Sequence, residues 1–180
     1  GLKRAGREAE GWDLALGPLP EEIVRAASFV AISTPMHTAL RLGVEAARRI
    51  RRLNPSARIC FFGLYAFLNA ERLLGAEADF TLAGECEENL LRLIQDLAAG
   101  GDGRISGVSR PGCIVPPLLR ALDHPAPERS GFAGIESYAK LQIAGELRLA
   151  GVAEASRGCK HVCRHCPLTP VFGGRFFIVP

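Results

Sequence analysis

Phe29-Val30-Ala31-Ile32-Ser33, followed by Thr34-Pro35-Met36-His37 and then a helical run from Ala39 to Leu53, is the stretch that decides the fold. The first five residues form an apolar run closed by a serine, as expected of a strand buried on both faces. Thr34 to His37 then make a loop. From Ala39 the pattern changes to a helical period. Leu40, Val44, Ala47 and Ile50 line one face, while Arg41, Glu45, Arg48, Arg49 and Arg52 line the other. Asn54-Pro55 stops the helix. A buried strand feeding an amphipathic helix is the repeating unit of an α/β sheet.

The same alternation continues on both sides. Upstream, Trp12–Leu16 reads as a strand, and a short helix starts at Pro20 with Glu21 and Glu22 beside its positive end. Downstream, Arg58–Phe62 is a strand that turns at Gly63, Asn69 is placed to cap a short helix through Leu74, and Asp79–Ala83 is a strand ending at Gly84. The last helix begins with Glu85, Glu87 and Glu88 and buries Leu90, Leu91, Ile94 and Leu97 or Ala98. It stops at Gly100-Gly101. Residues 1–99 are thus expected to form a doubly wound, Rossmann-like parallel sheet with helices on both faces. In such sheets a ligand lies across the carboxyl ends of the strands, which makes Ser33, Thr34, Gly63, Tyr65, Gly84 and Glu85 the candidate contacts. The alternative for Gly63 and Gly84 is that they simply turn the chain.

Residues 100–136 change character. Glycines and prolines at positions 111, 116, 117, 125 and 127 read as a linker. A second unit starts near Ser137, with an expected strand at Gly151–Ala155 leading into a cysteine loop. The net charge of +3, spread over helix faces, is too mild for a nucleic-acid surface. No apolar run reaches the ~18 residues that span a bilayer, and no signal peptide is visible. Both ends read as cut: Gly1 enters a helical pattern midway, and the chain stops in the apolar run Phe176-Phe177-Ile178-Val179-Pro180.

The second unit carries Ser156-Arg157-Gly158-Cys159-Lys160-His161-Val162-Cys163-Arg164-His165-Cys166-Pro167, a C-x3-C-x2-C spacing. Three of the six cysteines crowd into eight positions, which points to a metal site in a reducing, cytoplasmic setting rather than a disulfide scaffold. Three thiolates hold three corners of a [4Fe–4S] cluster, which ordinarily takes four cysteines, and so leave one iron open. Arg157, Lys160, Arg164, His161 and His165 would balance the negative charge of the reduced cluster. A zinc site using His161 or His165 is the alternative, although no second C-x2-C pair accompanies it. Cys60, Cys86 and Cys113 read as small hydrophobes.

The cysteine spacing resembles the radical S-adenosylmethionine (SAM) superfamily, with His165 standing where that family usually has an aromatic residue. The resemblance implies that SAM chelates the open iron and that an external one-electron donor of flavodoxin or ferredoxin type reduces the cluster. The bound SAM is then cleaved to methionine and a 5′-deoxyadenosyl radical, which acts on a small-molecule or peptide substrate. Residues 79–97, with Asp79, Gly84-Glu85, Glu87 and a leucine-rich helix, and the preceding unit from Asn54-Pro55 to Gly63, resemble cobalamin-binding domains fused to radical SAM domains. Leu64 and Tyr65 stand where that family often has a second glycine and a histidine. This implies a flavodoxin-like cobalamin domain whose first strand precedes residue 1, then the opening of a partial (β/α) barrel over 137–180. Cobalamin, and through it methyl transfer, is the implied cofactor chemistry. No D-x-H-x-x-G cobalt-ligand motif is present, and His37 follows the wrong strand to serve as one. Two rivals stay open: a radical SAM enzyme whose first domain binds substrate or a partner protein, and a non-catalytic zinc module. Residues 1–180 by themselves are expected to be poorly stable, because a flavodoxin-like order would put the missing first strand inside the sheet, and inactive, because the glycine-rich stretch that holds SAM in this family has not yet appeared by residue 180.

Overall fold

The apolar run that opens the pattern is strand β1 (Phe29–Ser33), and the helical run behind it is α2 (His37–Leu53), which begins two residues earlier than its period predicts. A short α1 (Glu21–Ala26) precedes them. After them come β2 (Arg58–Phe62), α3 (Leu64–Leu68), α4 (Ala70–Leu73), β3 (Phe80–Leu82), α5 (Glu87–Ala98) and β4 (Val108–Ser109). The computed structural model describes residue 2 and residues 5–122, 127, 129 and 131–179. Within them the main sheet has the order β1-β2-β3-β4. The first three strands are parallel, with Ala31 opposite Cys60 and Cys60 opposite Phe80, while β4 runs antiparallel to β3 through Thr81 and Ser109.

The expected α/β class holds, and the reason is visible in β2. Successive side chains of a strand point to opposite faces. Ile59 and Phe61 join one core with Ile32, Leu40, Ala47 and Ile50, where α2 packs. Cys60 joins the other core with Phe80, Leu82, Leu93 and Val108, where α5 packs. Both faces of the strand are filled, so its sequence must be continuously apolar.

Asn54 stops α2 and does more. Its Nδ2 donates to the carbonyls of Val24, Arg25 and Ala27 at 2.9, 3.2 and 2.8 Å, which gathers the carbonyls at the end of α1. Its Oδ1 accepts from Ser56 Oγ at 2.8 Å and from the Ala57 backbone at 3.2 Å. The Asn54→Ala variant is expected to lose about 1–3 kcal/mol, read as a lower denaturation midpoint with an unchanged slope.

Several expectations are corrected. Trp12–Leu16 is a turn rather than a strand: Asp13 Oδ1 accepts the Ala15 backbone N–H at 2.9 Å, and Trp12 is half exposed. The side-chain bond competes successfully with a strand ladder, and β1 is therefore the end strand of the described sheet, so it is not buried on both faces as its apolar run suggests: Ile32 is buried, but Ala31 and Ser33 are exposed. Asn69 does not cap the helix that follows it; its side chain instead donates back to Tyr65 O at 2.9 Å, at the end of α3. In α5 the fully buried leucine is Leu93; Leu90 and Leu97 pack beside it and, like Leu91 and Ile94, are half buried, while Ala98 is exposed.

The segment 100–136 is more than a linker. Val108 and Ser109 form the buried strand β4, and Gly103 lies against Phe80 and Leu93. Beyond it, Leu141–Ile143 (β5) and Glu146–Arg148 (β6) form an exposed hairpin whose turn residues Ala144 and Gly145 both have positive φ. The strand expected at Gly151–Ala155 lies instead at Ser156–Gly158 (β7), followed by α6 (Thr169–Phe172). β7 pairs antiparallel with β8 (Phe176–Ile178), the apolar run at the end of the sequence. The described residues of 137–179 contain no parallel strand pair. Gly173 and Gly174, both at positive φ, reverse the chain after a helix of only four residues and return it beside β7.

Candidate metal centre and the carboxyl ends of the sheet

The β7–β8 pair forms the base of the cysteine loop. Gly158 sits at φ +83°, and a Cβ there would lie 2.4 Å from Arg175 O, so only glycine lets the returning chain approach this closely. The backbone N–H of Cys159 donates to Arg175 O at 3.2 Å, and its sulfur accepts the His161 N–H at 3.5 Å. The Cys166 N–H donates to Cys163 O at 3.2 Å, and Thr169 Oγ1 donates to the same carbonyl at 2.9 Å. Cys159 is thus tied to Arg175 and His161, and Cys163 and Cys166 are tied to each other and to Thr169. Cys163 is exposed, and Cys159 and Cys166 are half buried.

Among the described residues no three His, Cys, Asp or Glu side chains are gathered closely enough to hold one metal ion. Zinc needs its ligands to converge on a single point at about 2.0–2.3 Å. A [4Fe–4S] cubane also needs its thiolates gathered around it, so this observation favours neither group. The donor chemistry fits such a cluster: three accessible or half-accessible thiols on one loop, one already accepting a backbone N–H as cluster ligands do.

The charges around the loop divide. Lys160, His161, Arg164 and His165 are exposed. Arg157 is not available to the thiols as the sequence suggested. Its Nη1 reaches Glu85 Oε2 at 2.7 Å and Glu87 Oε1 at 2.9 Å, and its Nε reaches Glu154 Oε2 at 3.0 Å. Burial of the guanidinium pulls its pKa down, but the bonds to Glu87 and Glu154 and the charges of Glu87 and Glu85 outweigh that, and the net shift is upward. Its positive charge is therefore spent on carboxylates.

The six residues expected at the carboxyl ends of the strands do gather there, in two different states. Ser33 is exposed, and Gly63 and Tyr65 are half buried. Thr34 is fully buried and serves the fold: its N–H and Oγ1 both donate to Phe62 O, at 2.8 and 3.1 Å, and its carbonyl accepts the Tyr65 N–H at 3.0 Å. His37, read as a loop residue, is the first residue of α2 and meets the Tyr65 ring edge-on at 6.3 Å. The end of β3 is covered. Leu118 N–H donates to Ala83 O at 3.1 Å, and Leu118 O accepts the Glu85 N–H at 2.8 Å. The Glu85 carboxylate is buried against Arg157.

Sequence reading missed Leu118 and the reach of Arg157 to Glu85. A contact across 72 residues leaves no local periodicity to detect. The other cysteines behave as small hydrophobes where they are buried. Cys60 is fully enclosed, and burial pushes its thiol up. Burial, then the charge of Glu87, pushes the Cys86 thiol up to about 12. Cys113 is half buried in a turn with Arg110.

The chain matches no protein-family model, and no significant match is found among curated proteins or among solved structures.

Proposed function

We propose that this chain is part of a radical SAM enzyme, with Cys159, Cys163 and Cys166 holding a [4Fe–4S] cluster whose fourth iron takes SAM. The single observation that carries the reading is the C-x3-C-x2-C loop set directly after a short strand. When bound, the cluster supplies the electron that divides SAM into methionine and a 5′-deoxyadenosyl radical. The chain's own part is to hold the three thiolates on one loop, through the Arg175 and His161 backbone bonds to Cys159 and the Thr169 bond to Cys163 O. In this proposal the residues from 137 onward open a barrel that binds SAM, and the unit built on β1–β3 is a Rossmann-like cofactor domain.

Cobalamin is the proposed occupant of that domain, at the open ends of β1 and β2, with Ser33, Gly63 and Tyr65 in contact and methyl transfer as the chemistry. Gly84 and Glu85 would stand beneath Leu118 and Arg157 and shape the site indirectly. That covering of the β3 end favours one rival, in which the same domain receives substrate or a partner protein. The visible spectrum of bound corrinoid separates the two.

The test of the cluster reading is electron paramagnetic resonance of the anaerobically reconstituted, reduced chain. The signal of a reduced [4Fe–4S] cluster is expected, with labile sulfide matching the iron. A chain that takes up stoichiometric zinc and no labile sulfide rejects the reading.

A further inference from the structure

Among the described residues the cysteine loop is held to the α/β unit on each side of the three thiols. On the far side, α6 packs against α3 and buries Val171. On the near side, Arg157 stands two residues before Cys159 and binds Glu85 and Glu87, which flank the start of α5 beyond the end of β3. The first attachment is apolar and non-directional. The second is a charge-assisted fork with fixed geometry, in which one guanidinium holds carboxylates from two distant parts of the chain. Glu154, on the loop's own side, keeps the fork aligned at 3.0 Å.

We propose that Arg157 is a positioning residue that latches the cysteine loop to the carboxyl end of β3 through Glu85 and Glu87. The thiols then occupy a defined place relative to the open ends of β1 and β2, and anything that draws Glu85 or Glu87 away loosens them. The inference rests on the cysteine loop being the working site proposed above. Its test uses the metal-free chain, so its outcome is separate from whether iron or SAM binds.

The test is site-resolved alkylation of the reduced, metal-free, full 180-residue chain with iodoacetamide, read by mass spectrometry. Cys163 is exposed and sets the reference rate, while the fully buried Cys60 reports unfolding of the sheet. Arg157→Gln and Glu85→Gln are each expected to speed labelling of the half-buried Cys159 by about tenfold, with Cys60 still protected, as local opening requires. The double variant should be no faster than Arg157→Gln alone, because that change already removes the contact to Glu85. The milder Glu87→Gln should give a smaller increase in the same direction, and Arg157→Lys should restore part of the protection.

A purely electrostatic influence on the thiol predicts the opposite pattern. Removing the Arg157 charge would slow labelling and removing the Glu85 charge would speed it. That split, or an unchanged Cys159 rate with Cys60 protected, overturns the proposal. Labelling of Cys60 in both Arg157→Gln and Glu87→Gln overturns it as well, because the contact would then support the fold rather than place the loop.

Discussion

Anaerobic reconstitution with iron and sulfide is expected to load about four irons and matching labile sulfide per chain, and Cys163→Ala to abolish that loading. Three thiolates are the fewest that hold a cubane while leaving an iron open, so losing one leaves two corners and no cluster. Cys163 is the informative position: it is exposed, and among the described residues only its carbonyl is used by the fold, accepting from Cys166 and Thr169. Alanine preserves that carbonyl, so the loss reports ligation rather than misfolding. Cys60→Ala is expected to leave the iron count unchanged. Its thiol is fully buried in β2 and held protonated by burial, which disqualifies it as a ligand. Iron and sulfide analysis of the two variants checks both halves. Equal iron in the Cys163→Ala chain would place the cluster elsewhere.

Gly84→Leu is expected to destabilise the chain by about 2–5 kcal/mol, summing left-handed backbone strain and overpacking. Gly84 sits at φ +71°, and a Cβ there would lie 2.1 Å from the carbonyl oxygen of Leu118. That oxygen accepts the Glu85 N–H, so any side chain must displace the covering segment. For a chain of this length the loss corresponds to a fall in melting temperature of roughly 5–20 °C. Differential scanning calorimetry reads it directly, and a fall below 2 °C would contradict the close approach of Leu118. Loss of a cofactor in this variant would consequently report a disturbed strand end and not a removed ligand contact.

Much of the α/β unit was legible in the sequence because its signals are local. The run Phe29–Ser33, the helical period through Leu53 and the Asn54-Pro55 stop all act within a few residues of themselves. Trp12–Leu16 was illegible for the opposite reason: its residues suit a strand, but the Asp13 side chain closes a turn before any ladder forms. The linker reading missed β4 because two residues are too few to show alternation. Val108 is buried because pairing with β3 sets it in the core that holds Cys60, Phe80, Leu82 and Leu93.

By itself, then, the sequence determined the alternation of apolar strands with amphipathic helices and the placement of three thiols in eight positions, because hydrophobic period and ligand spacing are properties of short stretches of chain. Only the tertiary structure decided that the end of β3 is covered by Leu118, that the strand after Gly158 returns antiparallel, and that the charge of Arg157 goes to Glu85 and Glu87 instead of the cysteines. Each of these depends on two segments distant in sequence meeting at hydrogen-bond distance. A guanidinium settles on whichever carboxylates the packed chain brings within reach, and no spacing along the sequence specifies which those will be.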